Sequence, residues 1–199
     1  MSVTEECPAL MIEISFLTAE IIYTAIWLLL RTVVWVRQGK IHWKREAVLM
    51  LMYINLAVII RFVFFPKALS GGHVRPLVFD AAAAFPFRIN LIPFVRLSDY
   101  HRVRDILWNV AGNTAMFIPS GIVLPVVYKK LNSFGKTAAA GALISLCIEI
   151  LQLPFASRVS DIDDLIQNTL GVAAGYGIFA AVKRLQNVIL SRSAVEDRQ

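Results

Sequence analysis

The stretch TAAAGALISLCIEILQLPF, residues 137–155, is long and apolar enough to cross a lipid bilayer as one helix. Four further stretches share this character, at residues 14–36, 46–65, 106–128 and 165–182. Of the 199 residues in the chain, 57% are hydrophobic and only 17% are charged. A water-soluble domain of this length cannot bury so much apolar side chain. The sequence therefore predicts an all-α fold, a polytopic membrane bundle of about five transmembrane helices.

The chain is predicted to form one membrane domain, residues 1–199, in which residues 186–199 are a tail after the fifth helix. The connection at residues 66–105 is long for a compact bundle, and loops of this length are more often functional than idle. Within it, residues 77–87 and 90–94 mix large apolar side chains with proline and charge. This mixture predicts an interfacial or re-entrant segment between helices 2 and 3. A surface loop held down by its aromatic side chains is the alternative.

Basic residues are unequally distributed between the two sides of the predicted bundle. If the N-terminus is outside, the inner segments hold Arg37, Lys40, Lys44, Arg45, Lys129, Lys130, Lys136, Lys183, Arg184, Arg192 and Arg198. The N-terminal segment before the first span holds no Lys or Arg, and the connection between the fourth and fifth spans holds only Arg158. The positive-inside rule then predicts an external N-terminus and a cytoplasmic C-terminus. The connection at residues 66–105 disagrees, because it would be external yet carries Lys67, Arg75, Arg88, Arg96, Arg102 and Arg104.

The formal net charge of +6 is shared between both faces of the membrane under this orientation. Such a distribution favours contact with anionic lipid headgroups, so membrane lipids are the expected partners. The sequence has no motif of interleaved aromatic and basic residues of the kind that binds RNA or DNA. Nucleic acid is therefore not an expected partner.

Polar side chains inside the spans are costly in lipid and mark either a site or an interhelical contact. Under the predicted orientation they share the outer half of the membrane or its outer edge. They are Glu20, Arg61, Asn109, Asn113, Glu149, Gln152, Arg158, Asp161, Asp163, Asp164 and Asn168. A common layer predicts one polar cavity that opens outward. The alternative is a set of interhelical hydrogen bonds, each worth about 0.6 kcal/mol.

Several details within the spans predict specific contacts. Glu20 is expected to pair with Arg61, whereas Arg31 is expected to extend its guanidinium to the inner membrane surface. Asn109 and Asn113 lie four residues apart and therefore share one face of the third helix.

Glycines predict where helices pack closely. Gly121 follows Asn113 in the third helix and would allow another backbone to approach closely. Gly171 and Gly175 lie four residues apart in the fifth helix, and this GxxxG spacing predicts a packing groove.

The phrase SDIDDLIQNTLG, residues 160–171, places three carboxylates at the start of the fifth span. The spacing of Ser160 and Asp163 predicts a capping box, and Asp161 with Asp164 offers the same spacing one residue later. Capping, together with the favourable interaction of carboxylates with the positive end of the helix dipole, explains one or two of the three acids. We expect Asp164, with Asn168 on the same face, to close the rim of a cavity floored by Glu149, Gln152 and Asn113.

Four motifs occur in or beside the second to fifth spans. They are Asn90-Leu-Ile-Pro93-Phe94, then Asn113-x3-Phe117-x-Pro119-x-Gly121, then Glu149-x2-Gln152, and then Arg158-x2-Asp161-x-Asp163-Asp164-x3-Asn168-Thr169-x-Gly171-x3-Gly175. Together they resemble the VanZ-like family over about residues 46–185. The resemblance implies a small multi-pass protein of the bacterial cell membrane, in a family whose founding member is associated with resistance to the glycopeptide antibiotic teicoplanin.

Two functional hypotheses follow. In the first, the cavity binds a cell-envelope lipid or a lipid-linked cell-wall precursor. Its predicted ligand-binding residues are Arg61, Asn109, Asn113, Glu149, Gln152, Arg158, Asp161, Asp164 and Asn168. In the second, the protein is a membrane enzyme that modifies a lipid-linked or phosphate-containing envelope substrate, with Glu149 as general base. Arg61 or Arg158 would then hold a phosphate group.

The enzyme hypothesis would use Asp161, Asp163 and Asp164 as ligands of Mg²⁺ or Ca²⁺, the only cofactor that either hypothesis includes. All three histidines of the chain, His42, His73 and His101, lie in connections, which weighs against a zinc site among the helices. A transporter is less favoured than either hypothesis, because the five spans show no internal repeat.

Overall fold

The computed structural model describes residues 11–65, 74–80, 88–95, 102–155 and 158–196. Within these residues it contains five helices that are long and apolar enough to cross a membrane, the second of them together with its π-helical extension. They are α1 (Phe16–Gln38), α2 (Trp43–Ile59), α3 (Val103–Val127), α4 (Phe134–Gln152) and α5 (Ile162–Glu196). A π-helical segment, Ile60–Phe64, extends α2, and a 3₁₀ turn, Lys129–Leu131, connects α3 to α4. The prediction of an all-α membrane bundle of about five helices is confirmed.

The bundle has two ends of different composition. The end that we call the acidic end contains the start of α5 with Asp161, Asp163 and Asp164, together with the start of α3 and the end of α4. The opposite end, which we call the basic end, contains the end of α3, the 3₁₀ turn with Lys129 and Lys130, and the start of α4. Because α4 crosses back between them, α3 and α5 run parallel.

Glycines allow the backbones of α3 and α5 to touch. A Cβ atom added at Gly121 would lie 2.1 Å from the carbonyl oxygen of Val172, and one at Gly175 would lie 2.0 Å from that of Ile118. At Gly171 the corresponding distance, to the carbonyl oxygen of Thr114, is 2.1 Å. No side chain fits at such distances, so the predicted close approach at Gly121 and the predicted packing groove at Gly171 and Gly175 are confirmed.

The buried apolar core lies between α2, α3, α4 and α5. Its members are Leu49, Met52, Ile59, Phe117, Leu124, Val127, Ile148 and Val172. A polar pair crosses this core, because the Ser120 hydroxyl donates to Oδ1 of Asn55 over 2.7 Å. This interhelical bond between α2 and α3 was not predicted from the sequence, although Asn55 stands out in the apolar run of α2.

The first helix contributes no buried residue and packs against α2 through aromatic and ionic contacts. The ring of Tyr23 stacks on that of Tyr53, with centroids 5.1 Å apart. Further along, the Arg31 guanidinium binds the Glu46 carboxylate, and each side chain is only 16% exposed. Arg31 thus has an acidic partner on the neighbouring helix, a pairing that was not predicted from the sequence.

The predicted pair of Glu20 and Arg61 is not formed. Arg61 instead donates to the carbonyl oxygen of Phe65, at the end of its own π-helical segment. Its guanidinium also lies 5.5 Å from the ring centroids of Phe16 and Phe62. The π-helical turn directs Arg61 toward these rings, and Oε1 of Glu20 is buried without a hydrogen-bond partner in the described part of the chain.

Short strands cover the acidic end. Strand β1 (Met11–Ile14) pairs antiparallel with β2 (Leu77–Asp80), and β3 (Ile89–Asn90) pairs parallel with β4 (Ser160–Asp161). The Phe79 and Phe155 rings meet edge to face, with centroids 6.5 Å apart. Residues 74–80 and 88–95 thus form a surface layer held partly by aromatic contacts. Residues 81–87, the rest of the first predicted interfacial segment, lie outside the described residues.

Candidate functional site

The first aspartate of the acidic end caps α5. Asp161 immediately precedes the helix, and its Oδ1 accepts the backbone N–H of Asp163 over 3.0 Å. This is the geometry of an N-cap residue, whose side chain accepts from the second or third residue of the helix. Of the two residues predicted to begin a capping box, Asp161 is the N-cap, and its own backbone N–H donates to Glu149. The same oxygen accepts from the Asn90 side-chain amide over 3.1 Å, which joins β3 to β4.

The second aspartate holds the loop that carries the NLIPF motif. Both carboxylate oxygens of Asp163 accept the backbone N–H of Phe94, over 2.8 and 3.1 Å. Phe94 has a φ of 63°, a left-handed conformation that is uncommon for a residue with a side chain. Asp163 is buried, so this charge-assisted bond anchors the loop directly on the first turn of α5.

The third aspartate connects α5 to α3. Asp164 accepts from the Asn113 side-chain amide over 2.6 Å, and the same amide nitrogen donates to Oε1 of Gln167 over 3.2 Å. Gln167 is buried and was not predicted as a site residue. It lies three residues after Asp164 and therefore on the same helix face, which is the signal that could have identified it.

Glu149 joins the end of α4 to the start of α5. It is 4% exposed, and its Oε2 accepts the backbone N–H of Asp161 over 3.0 Å. The positive end of the α5 dipole therefore faces this carboxylate. One turn later on α4, Gln152 donates to the carbonyl oxygen of Val63 in the π-helical segment, over 3.3 Å.

Arg158 lies between α4 and α5 and is half-buried. Its Nη2 donates to the carbonyl oxygen of Phe64, whereas its Nε is buried and has no hydrogen-bond partner among the described residues. Burial lowers the pKa of this guanidinium from its ordinary value, and the Asp164 carboxylate opposes that change.

Asn168 uses only one of its two polar side-chain atoms in hydrogen bonds to the described residues. Its amide nitrogen donates to the Ser145 hydroxyl over 2.9 Å, but its buried Oδ1 has no partner in the same parts of the chain.

The structure brings most of the predicted site residues to one place. We use the name polar network for the hydrogen-bonded polar side chains at and near the acidic end. Its members are Asn90, Asn113, Ser145, Glu149, Gln152, Arg158, Asp161, Asp163, Asp164, Gln167 and Asn168. Two predicted residues lie elsewhere. Asn109 is exposed on α3, one turn before Asn113, and Arg61 faces the rings described above.

The predicted metal ligands do not converge. Asp161 faces Asn90 and the helix start, Asp163 faces the Phe94 N–H, and Asp164 faces Asn113. Within residues 11–65, 74–80, 88–95, 102–155 and 158–196, no three His, Cys, Asp or Glu side chains are placed so that they could hold a metal ion. Each acid thus has a different hydrogen-bond donor, and the arrangement does not support the hypothesis of a three-aspartate cation site.

Comparison with known proteins tests the resemblance drawn from the motifs. The model of the VanZ/LLP1 family matches residues 48–184. The chain belongs to the VanZ/LLP1 family. It is also similar to Protein VanZ of Enterococcus faecium, with 31% identity over 99 residues. That alignment covers 50% of this chain and 56% of the relative, so the chain spans about half the length of the curated relative that it matches. No solved structure matches the chain.

The VanZ/LLP1 region contains the whole polar network and most of α2 to α5. The first helix lies outside it, in agreement with the absence of a recognisable motif before about residue 45. Five apolar helices and membership of the VanZ/LLP1 family identify a multi-pass membrane protein.

Proposed function

We propose that this VanZ/LLP1 protein binds a cell-envelope lipid or a lipid-linked cell-wall precursor at the acidic end, and that it thereby contributes to teicoplanin resistance. The observation that carries the proposal is the state of Arg158. A buried guanidinium N–H without an acceptor is costly, because the group has lost its water and gained no other partner. Arg158 as a whole is only half-buried, so a phosphate oxygen of a bound headgroup can approach its guanidinium, and it would satisfy Nε once the groups that cover that atom move aside.

The surrounding network supports a ligand that has hydrogen-bond donors as well as phosphate. Oδ1 of Asn168 is a second buried atom without a partner in the described residues, and it is an acceptor. Hydroxyl or amide groups of a precursor headgroup would donate to it. The proposed ligand therefore presents its phosphate to Arg158 and its sugar or peptide groups to Asn168.

The proposal places the acidic end on the outer side of the membrane, following the distribution of Lys and Arg. Glycopeptide antibiotics act outside the cell membrane, so a precursor bound there would not be available for the antibiotic to bind. The external position of the acidic end is part of the proposal, and cysteine labelling of intact cells tests it.

A resistance assay tests the role of Arg158. Arg158→Gln should lower the teicoplanin concentration that a sensitised host tolerates, because the substitution removes the charge that faces the phosphate. Arg158→Lys should retain part of the effect, since it keeps the charge but loses Nε. Arg102→Gln is the matched control, because Arg102 is exposed at the same end. With equal amounts of protein in the membrane, identical tolerance in Arg158→Gln and wild type would reject the proposal.

Binding and catalysis separate on purified protein. Labelled lipid-linked wall precursor should be retained by the wild-type protein and recovered unchanged after release. Arg158→Gln should retain about tenfold less, the equivalent of one lost charge-assisted hydrogen bond. Recovery of a new covalent product would instead establish the enzyme alternative, with Glu149 as the first residue to substitute.

A further inference from the structure

A cavity of about 730 Å³ lies at the basic end, between the end of α3 and the later part of α5. The wall toward the membrane centre is apolar and includes Ile122, Ile178 and Phe179. The rim at the end of the helices is polar and consists of Lys129, Asn132, Lys183 and Gln186.

The shape of the basic-end cavity follows from the packing of α3 and α5. The two helices touch at Gly121 and Gly175, so their backbones are closest less than one turn before the cavity begins at Ile122 and Ile178. Beyond that point α3 ends at Val127, whereas α5 continues to Glu196. The 3₁₀ turn then leads the chain away toward α4, which leaves space beside α5.

The charge of the cavity rim has one sign. Lys129 and Lys183 line it, and its lining includes no Asp or Glu. The ammonium group of Lys183 lies 5.9 Å from the ring centroid of Phe179, so the aliphatic part of its side chain follows the apolar wall. Asn132 and Gln186 add amide donors beside the two lysines.

We propose that this cavity binds one anionic phospholipid of the surrounding membrane. The phosphate lies between Lys129 and Lys183, and an acyl chain runs along Ile122 and Ile178 toward the membrane centre. Basic pockets between transmembrane helices are a known setting for anionic lipid headgroups. The site is at the opposite end from the polar network, so it does not depend on the function proposed above.

The order of polar and apolar groups along the helices favours a lipid over a soluble anion. A soluble anion needs only the basic rim, whereas this cavity continues into the apolar part of the bundle. A zwitterionic lipid would also fill the apolar part, but its own ammonium group offsets the charge of its phosphate and is repelled by the two lysines. An anionic phospholipid satisfies both parts at once.

Native mass spectrometry of the purified full-length protein in detergent tests the proposal. The probes are dioleoyl phosphatidylglycerol and dioleoyl phosphatidylcholine, which have the same chains and differ in headgroup charge. The wild-type protein should retain one phosphatidylglycerol in preference to phosphatidylcholine. The double variant Lys129→Gln/Lys183→Gln should lose affinity by about fivefold for each lysine removed.

The matched control is Lys130→Gln/Arg184→Gln, which removes the same charge from exposed positions one residue away. It should keep the preference for phosphatidylglycerol. An equal loss in both double variants would show diffuse attraction to the basic end and overturn the proposal, as would equal binding of the two lipids by the wild type.

A second variant tests the apolar part without changing charge. Ile178 is 48% exposed at the cavity, so Ile178→Trp should fill the groove and leave the bundle folded. It should reduce phosphatidylglycerol retention, whereas Leu170→Trp, at a site 57% exposed on the same helix but outside the cavity lining, should not. Undiminished retention by Ile178→Trp would overturn the placement of the acyl chain.

Discussion

Glu149 is a carboxylate buried at the end of an apolar helix, where an isolated charge is expensive. The structure offsets that cost with a backbone donor, the N–H of Asp161, at the positive end of α5. The residue therefore joins two helices through a bond that needs an acceptor oxygen. Any role of its charge in ligand binding is separate from this structural one.

Substitutions at Glu149 separate the two roles. Glu149→Gln keeps an acceptor oxygen for the Asp161 N–H, so the purified protein should aggregate at nearly the wild-type temperature. Glu149→Leu leaves that buried N–H unpaired and should cost about 1–3 kcal/mol, seen as aggregation at a lower temperature. If the Leu variant is as stable as the Gln variant, the bond contributes little to folding.

Asp163 has a different task, because its carboxylate holds a loop rather than a helix. Asp163→Ala removes the acceptor of the Phe94 N–H and should release residues 88–95 from the start of α5. Limited proteolysis should then cut at Arg88 faster than in the wild type. Asp105→Ala is the control, since Asp105 is exposed in the first turn of α3 at the same end. Equal cutting rates in the two variants would contradict the anchoring role.

At the scale of elements, the contact of α3 with α5 organises the bundle. Both helices present glycine where they cross, and each backbone meets a carbonyl oxygen of the other. Close packing of this kind replaces the hydrophobic effect, which does not drive helices together inside lipid. The same contact brings Asn113 to Asp164, so the polar network depends on it.

Two glycines of α5 provide a direct comparison. Gly175→Ala would place a Cβ 2.0 Å from the Ile118 carbonyl oxygen, so it should separate the helices and cost about 1–3 kcal/mol or more. Gly177→Ala meets nothing within 4 Å and should be neutral or slightly stabilising, because alanine favours helix. The aggregation temperatures of the two purified variants measure the difference. Similar aggregation temperatures would mean that the contact between α3 and α5 tolerates a wider spacing of the two helices.

At the scale of the whole molecule, the two ends differ in charge and in whether a layer of short strands lies over them. The acidic end carries the polar network beneath a layer of short strands, whereas the basic end carries exposed lysines and the cavity between α3 and α5. We expect the acidic end outside the cell, although residues 66–105 add basic residues to that side.

Cysteine labelling measures the orientation. Position 161 is a poor reporter, because Asp161 is only 7% exposed. Arg102→Cys and Lys130→Cys place a thiol at exposed positions of the acidic and basic ends, in a chain whose Cys7 and Cys147 are first replaced by serine. A membrane-impermeant reagent added to intact cells should label position 102 and spare position 130. The reverse result would invert the proposed orientation.

Much of the fold was predictable because it depends on local composition. Apolar length identified the five helices, and the spacing of Gly171 and Gly175 identified a packing face. The common depth of the polar residues also predicted most of the network, since depth follows from position along a span. Asn109 shares the helix face of Asn113 but lies one turn nearer the start of α3, where its side chain is exposed.

The sequence by itself determined which segments cross the membrane and at which end the acids gather. Only the tertiary structure decided the partner of each polar group. Asp163 holds the Phe94 N–H, Glu149 holds the Asp161 N–H, and Arg31 binds Glu46. The physical reason is that hydropathy acts along one segment, whereas a hydrogen bond requires the rotation and register of two segments to place both atoms within about 3 Å.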